Sequence, residues 1–267
     1  MKIKIPSQSH TVITNEAFER DVEGNSTIGN NDNAPESNEW IGVMEFDDGT
    51  KGVYEFLPIR IGDSKYFSSL GSPTHLFLST AIEMNQIAEE RKYHNFPECG
   101  TKSSNSNIHL LKFEKGFTHE CYNDYLKARI TSIVMLVTAL ENFMNQVIPA
   151  DFSCTLTING KPIEFKTKKE IESPKAYFKL KIERIIPLAI KQENFWEMRK
   201  IDLDLLLELY ELRKVFIHLK TKSDEEWKRY LGDFAKMIEF DISKAIDTTI
   251  RFMNAVEKNF IVIEEAN

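Results

Sequence analysis

The stretch that decides the fold is HECYNDYLKARITSIVMLVTALENFMNQVIP, residues 119–149. Its apolar residues recur every three or four positions, as they do along one face of an α-helix. They are Leu126, Ile130, Ile133, Val137, Leu140, Met144 and Val147. Pro149 disfavours helical backbone at the residue before it. We therefore predict one long helix from His119 to Ile148 with a continuous buried stripe.

A second strongly apolar helix is predicted over Asp202–Lys220, DLDLLLELYELRKVFIHLK. It carries two neighbouring stripes, Leu203-Leu206-Tyr210-Ile217 and Leu205-Leu209-Leu212-Phe216-Leu219. A helix that is apolar over so much of its circumference is buried on several sides or lies in an interface.

Further helices are predicted around these two, so the fold class is mainly α. Thr74–Lys92 forms one, Lys175–Gln192 a second and Asp241–Phe260 the last. Pro174 suits the first turn of the second of these helices, and Pro187 must kink or end it. Capping signals at Thr167–Glu170 and Ser223–Glu226 predict two more helix starts.

Two β-hairpins are expected among the helices. The first spans Trp40–Ile61, because two apolar runs flank Asp48-Gly49, a step that favours a tight turn. The second spans Cys154–Phe165 around Asn159-Gly160 and is inserted between helices. Tyr93–Asn107, with Pro97, Gly100 and a Ser/Asn cluster, is predicted to be a loop.

These elements suggest two parts in the chain. Residues 1–115 are predicted to be an N-terminal module of unknown type, with a mobile Asn-, Ser- and Gly-rich loop at 19–39. Residues 116–267 are predicted to be a helical domain.

Composition narrows the class of protein. The chain has 267 residues and a net charge of -7, which argues against coating nucleic acid through bulk positive charge but allows a small basic cleft. Three scattered cysteines, an odd number, favour a reducing compartment. We find no signal peptide and no apolar run long enough to span a bilayer, so we expect a cytoplasmic protein without membrane contact. The scattered histidines lack metal-ligand spacing, so neither a metal nor a cofactor is expected.

The residues with chemical potential lie in the two long apolar helices. Arg213 shares a stripe with apolar residues, where a cation needs a partner or an anion to bind. His218 follows in the last turn, although side chains five positions apart point roughly 140° from one another. Glu141 and Asn145 share a face of the earlier helix, and a carboxylate there could neutralise and orient Arg213.

These segments resemble the HEPN family. TSIVMLVTALENFMNQVIP looks like its first core helix, which carries a glutamate, and LYELRKVFIHLK looks like the helix with its signature arginine and histidine. The resemblance covers residues 119–260 and implies a HEPN-like helical bundle. The inserted hairpin departs from the family's minimal bundle, and residues 1–115 resemble no family that we can name.

The resemblance also implies a function. Many members of the family are metal-independent ribonucleases that act as dimers, often toxins or antiviral effectors restrained by a protein antitoxin or regulator. It implies a homodimer through the Arg213–His218 helix, with RNA as substrate. His218 would be general base or acid, and Arg213 would bind and stabilise the scissile phosphate. Glu141 would hold Arg213, while Lys214 and Asn145 would contact substrate.

Three plainer interpretations stay open. His218 could satisfy free carbonyls at a helix end. Arg213 and Glu141 could form only a buried ion pair that fixes helix register. The domain would then be a catalytically inactive module for dimerisation and for binding a partner or nucleotide. The N-terminal region could instead be the active part, although no catalytic constellation precedes residue 119.

Overall fold

The computed structural model of the chain describes residues 2–4, 40–45, 51–69, 72–94, 100–102, 109–111, 120–217 and 224–264. The predicted mobile loop at 19–39, the turn at Asp48-Gly49, His218 and the capping residue Ser223 lie outside the described residues. The chain divides into two compact units, Ser7–Ser72 and a larger one that combines Met1–Pro6 with Pro73–Asn267.

The elements follow one another in chain order. They are β1 (Lys2–Lys4), β2 (Trp40–Glu45), β3 (Lys51–Ile61), β4 (Ser64–Ser69), α1 (Pro73–His94), β5 (Gly100–Lys102), β6 (His109–Leu111), α2 (Glu120–Val147), β7 (Cys154–Ile158), β8 (Lys161–Phe165), α3 (Lys168–Glu172), α4 (Phe178–Leu180), a π-helical turn (Lys181–Ile185), α5 (Ile186–Ala189), α6 (Lys200–Ile217), α7 (Asp224–Glu239), α8 (Ile242–Val256) and β9 (Val262–Glu264). The prediction of a mainly helical protein is confirmed in the described part of the chain. Of the helices that the structure describes, none is both long and apolar enough to cross a membrane.

The two longest helices, α1 and α2, pack along one another in the larger unit. Small residues allow their backbones to approach: Ala81 is fully buried, and the Ser132 hydroxyl on α2 donates to its carbonyl oxygen at 2.7 Å. The helical unit therefore includes α1 as well as residues after 116, which differs from the predicted division at residue 115.

The inserted hairpin β7–β8 is confirmed between α2 and α3. Asn159 and Gly160 both have positive φ, 52° and 76°, as a type I′ turn requires. The antiparallel register pairs Cys154 with Phe165 and Leu156 with Ile163, so one face of the hairpin is apolar. Phe165 is fully buried against the helices, because this face continues their core.

An aromatic cluster fills the centre of the helical core. Phe143 of α2 meets Phe260 and Phe252 edge-on, with centroids 4.7 and 5.8 Å away. Trp196 stacks on Phe252 at 5.4 Å, which brings the segment between α5 and α6 into the core. Rings in such edge-on and stacked pairs gain attraction beyond the area they bury.

Two predicted helix boundaries are corrected by the structure. Pro174 lies in a turn, and α4 begins only at Phe178, so the proline is not in the first turn of that helix. The last helix starts after Asp241, whose carboxylate accepts from the Lys244 amide, but it ends at Val256 rather than Phe260. There the Asn254 side chain bonds both backbone groups of Ile261, which turns the chain toward β9.

Short strands also appear where none was predicted. β5 pairs antiparallel with β6, and β5 falls within the predicted loop at 93–107. β1 pairs antiparallel with β9, so segments near the two ends of the chain form one ladder. Pairings between such distant segments leave no local turn signal in the sequence.

The smaller unit contains an antiparallel sheet of order β2-β3-β4. The predicted hairpin over Trp40–Ile61 is confirmed, with Val43 opposite Val53 in its register. The prediction omitted the third strand, which follows a turn at Gly62 with φ of 61°. Glycine adopts this backbone conformation without steric cost.

Candidate functional site

Two predicted site residues, Glu141 and Arg213, meet where α2 packs against α6. Glu141 Oε2 lies 3.9 Å from Arg213 Nη2, and the side chains are 34% and 22% exposed respectively. This is an ion pair but longer than a hydrogen bond, so it neutralises the guanidinium without using its donors. The Arg213 Nε atom is buried and has no hydrogen-bond partner within the described ranges. Beyond the 3.9 Å contact with Glu141, the Arg213 guanidinium has no partner among the described residues, so its Nη groups retain donors for an anion.

Asn145 lies one helical turn after Glu141 on α2 and contacts Lys181, which was not among the predicted site residues. Lys181, at the start of the π-helical turn, donates from Nζ to Asn145 Oδ1 at 2.9 Å. Lys181 is only 7% exposed, which is unusual for a lysine. The structure thus gathers Glu141, Asn145, Arg213 and Lys181 from three separate elements.

Burial shifts the titration of Lys181. Desolvation lowers the pKa of the ammonium group, because a charged form is disfavoured away from water. The carboxylates of Glu141 and Glu172 oppose this shift by favouring the charge. Glu172 also pairs with Lys168 at 3.9 Å and Glu141 also pairs with Arg213, so each of these carboxylates is shared by two cations.

Pro187 explains why the backbone widens at Lys181. In a regular helix the ring of Pro187 would clash with the carbonyl four residues earlier. Instead the Ile186 amide donates to the Lys181 carbonyl, five residues back. The Ile182 carbonyl would then need the amide hydrogen of residue 187, which proline lacks. The Trp196 indole N–H supplies the missing donor at 2.8 Å.

Lys214, predicted to contact substrate, is engaged on its own helix. Its ammonium donates to both carboxylate oxygens of Glu211, at 2.9 and 2.8 Å, and lies 5.6 Å from the centre of the Tyr210 ring. Tyr210 in turn stacks on Phe178 at 4.2 Å, nearly parallel, which joins α6 to α4. Lys214 is therefore held by Glu211 on its own helix, next to Arg213 in the sequence.

The predicted catalytic histidine is His218. His218 follows Ile217, the last described residue of α6, and lies outside the described residues. Ile217 itself is 43% exposed, so the end of the described helix emerges from the core.

A metal site is not seen among the described residues, where no group of three or more His, Cys, Asp or Glu side chains could hold an ion. The site that the structure does assemble has two cations, one carboxylate between them and an amide. Such a set suits an anion, and a phosphate above all, because guanidinium and ammonium groups bind its oxygens through charge-assisted hydrogen bonds.

Comparisons of the chain with protein-family models, with curated proteins and with solved structures found no match.

Proposed function

We propose that this protein is a metal-independent RNA endonuclease of the HEPN type that acts as a homodimer. The observation that carries the proposal is the Arg213–Glu141 pair: a half-buried guanidinium, neutralised at 3.9 Å, with a donor left unsatisfied in the described part of the chain. The buried Arg129 also has an unsatisfied Nε, but its guanidinium donates to two carbonyls, whereas the Arg213 guanidinium has only the ion pair with Glu141 among the described residues.

In the proposed reaction the RNA supplies its own nucleophile. One His218 imidazole takes the proton of the ribose 2′-hydroxyl, and the oxygen attacks the adjacent phosphorus. The bond from phosphorus to the 5′-oxygen breaks, and that oxygen leaves with a proton from the His218 imidazolium of the second protomer. The products carry a 2′,3′-cyclic phosphate and a 5′-hydroxyl. DNA, which lacks the 2′-hydroxyl, is not cleaved.

Arg213 stabilises the charge that grows on the phosphate oxygens during attack. Glu141 keeps the guanidinium aimed at the seam, and Asn145 and Lys214 contact the strand on either side. The homodimer forms through the Arg213–His218 helix and brings two such sets together. We further propose a role as a toxin or antiviral effector, restrained by a protein antitoxin or regulator.

The test is RNA cleavage in the presence of EDTA by wild type, Arg213→Ala and His218→Ala. Arg251→Ala is the matched control, because Arg251 pairs with Asp202 at the opposite end of the same helix α6, at 2.8 Å. We expect wild type and the control to cleave and leave cyclic phosphate ends. The two site variants should lose at least about a hundredfold in rate, the scale of one oxyanion or acid–base contribution.

The alternative, an inactive dimerisation and binding module, gives a different pattern. No protein would then cleave RNA, Arg213→Ala would lower the melting temperature through loss of the Glu141 pair, and His218→Ala would change little. Cleavage by both site variants at the wild-type rate would also refute the proposed roles.

A further inference from the structure

Lys181 is a buried cation that the proposed reaction does not use. It lies 7% exposed in a π-helical turn, and its Nζ bonds Asn145 Oδ1 at 2.9 Å. π-helical turns occur often at functional sites, and this one carries the lysine in its first position. A buried lysine is costly to desolvate, and Asn145 Oδ1 is the one acceptor that its ammonium group bonds in the described part of the chain.

The contact determines which way the Asn145 amide faces. An ammonium group has only donors, so the amide must present its oxygen to Lys181. The reversed amide would set an NH₂ group against NH₃⁺ and lose the hydrogen bond. The Nδ2 group, which has two donors, therefore lies on the edge of the amide turned away from Lys181.

The donor edge belongs to the same face of α2 as Glu141. Glu141 lies one turn earlier and reaches Arg213 at 3.9 Å, so Asn145 and the carboxylate that pairs with Arg213 share this face of the helix. Lys181, Arg213 and Lys168 carry three positive charges against the two carboxylates of Glu141 and Glu172. An anion that approaches Arg213 meets further donors and excess positive charge along this face.

We propose that Lys181 is a positioning residue, which fixes the Asn145 amide so that its Nδ2 group donates to the RNA phosphodiester bound by Arg213. This rests on the proposed RNA-cleaving function. Lys181 acts through Asn145, and the strand contacts the amide.

The test measures binding of a short fluorescent RNA with 2′-O-methyl groups throughout, which cannot be cleaved because the nucleophile is blocked. Anisotropy compares wild type with Asn145→Asp, Lys181→Met, Lys181→Arg and Arg213→Ala. Lys179→Met is the matched control, since Lys179 lies two positions away and pairs with Glu183 in a more exposed contact.

The Asn145→Asp variant distinguishes a positioning role of the Lys181–Asn145 contact from a purely structural one. The carboxylate still accepts from Lys181, so the melting temperature should stay or rise. It offers no donor and repels phosphate, so RNA affinity should fall about tenfold, the loss expected for one charge-assisted contact. Lys181→Met should lower affinity by a similar factor, Lys181→Arg should restore most of it, and the control should bind like wild type.

The outcomes distinguish the two proposals. If Asn145→Asp binds RNA as wild type does while Arg213→Ala loses affinity, the positioning role is wrong and the RNA site at Arg213 stands. If wild type neither binds the blocked RNA nor cleaves an ordinary one, the proposed function fails and the role of Lys181 fails with it.

Discussion

The hydrogen bond from Trp196 to the Ile182 carbonyl should be one of the costlier single bonds to remove from this fold. Ile182 is fully buried, so water cannot replace the indole N–H. The backbone cannot replace it either, because Ile186 donates to Lys181 and Pro187 has no amide hydrogen. Trp196→Phe keeps a ring next to Phe252 but leaves the carbonyl without a donor.

The expected loss has two parts. An unsatisfied buried carbonyl costs about 1–3 kcal/mol. The smaller ring buries on the order of 30 Å² less apolar surface, worth under about 1 kcal/mol at ~25 cal/mol per Å². We therefore expect Trp196→Phe to lower the free energy of unfolding by about 2–3 kcal/mol, most of it from the carbonyl.

A double-mutant cycle with Pro187→Ala isolates the carbonyl. Alanine at 187 restores an amide hydrogen that the Ile182 carbonyl can accept, so Trp196→Phe should cost about 1–2 kcal/mol less in that background. Urea denaturation followed by far-ultraviolet circular dichroism measures all four proteins, since fluorescence would change with the tryptophan itself. A coupling energy within about 0.5 kcal/mol of zero would refute this account of the π-helical turn.

Three further outcomes are expected. Arg129→Met should lower the free energy of unfolding, measured by urea denaturation, by about 2–4 kcal/mol, because the buried guanidinium donates to two carbonyls at the end of α7. The control Arg251→Met removes an exposed arginine and should cost under ~1 kcal/mol. Equal losses in the two variants would contradict a stabilising role for the buried hydrogen bonds. Gly160→Ala should lower the melting temperature, at a cost of about 1 kcal/mol, because Gly160 has a φ of 76° that alanine adopts poorly. Gly232→Ala should raise the melting temperature, because Gly232 lies within α7, where alanine favours helix and meets no neighbouring atom. A change of the same sign in both variants would be inconsistent with backbone conformation as the cause. Because burial lowers the pKa of Lys181, the unfolded chain holds the proton more tightly than the folded protein does. The charge of Lys181 therefore destabilises the fold fully below the folded pKa, and this effect fades as pH rises toward the ordinary lysine value. The difference in free energy of unfolding between Lys181→Met and wild type should change across alkaline pH, and a constant difference would argue against burial of the charge.

Features that depend on neighbouring residues could be predicted from the sequence. The Asn159-Gly160 turn follows from backbone sterics, because few other residue pairs tolerate two positive φ angles. The Thr167 hydroxyl caps α3 by accepting from the Glu170 amide, as its spacing predicts. The apolar period of α2 likewise marks a helix without reference to its partners.

The candidate site was predictable only in part. Glu141 and Arg213 could be paired from sequence because each is a charge in an apolar helix and each needs the other. Lys181 has no such signal: it precedes a proline in a segment rich in lysine and isoleucine, and nothing local distinguishes it from Lys179. Pro187, two residues after the π-helical turn ends, is the one clue, since it predicts a disturbed helix but not which side chain the disturbance turns inward.

By itself the sequence determined the helices, the two hairpins, the Thr167 cap and the charged pair in the α2–α6 seam. Periodicity, turn chemistry and the cost of a buried charge all act over short distances along the chain. Only the tertiary structure decided that β1 pairs with β9, that α1 belongs with the helical unit, and that Lys181 joins Asn145 beside Arg213. These depend on contacts between residues far apart in sequence, whose free energy comes from packing and desolvation that no local pattern records.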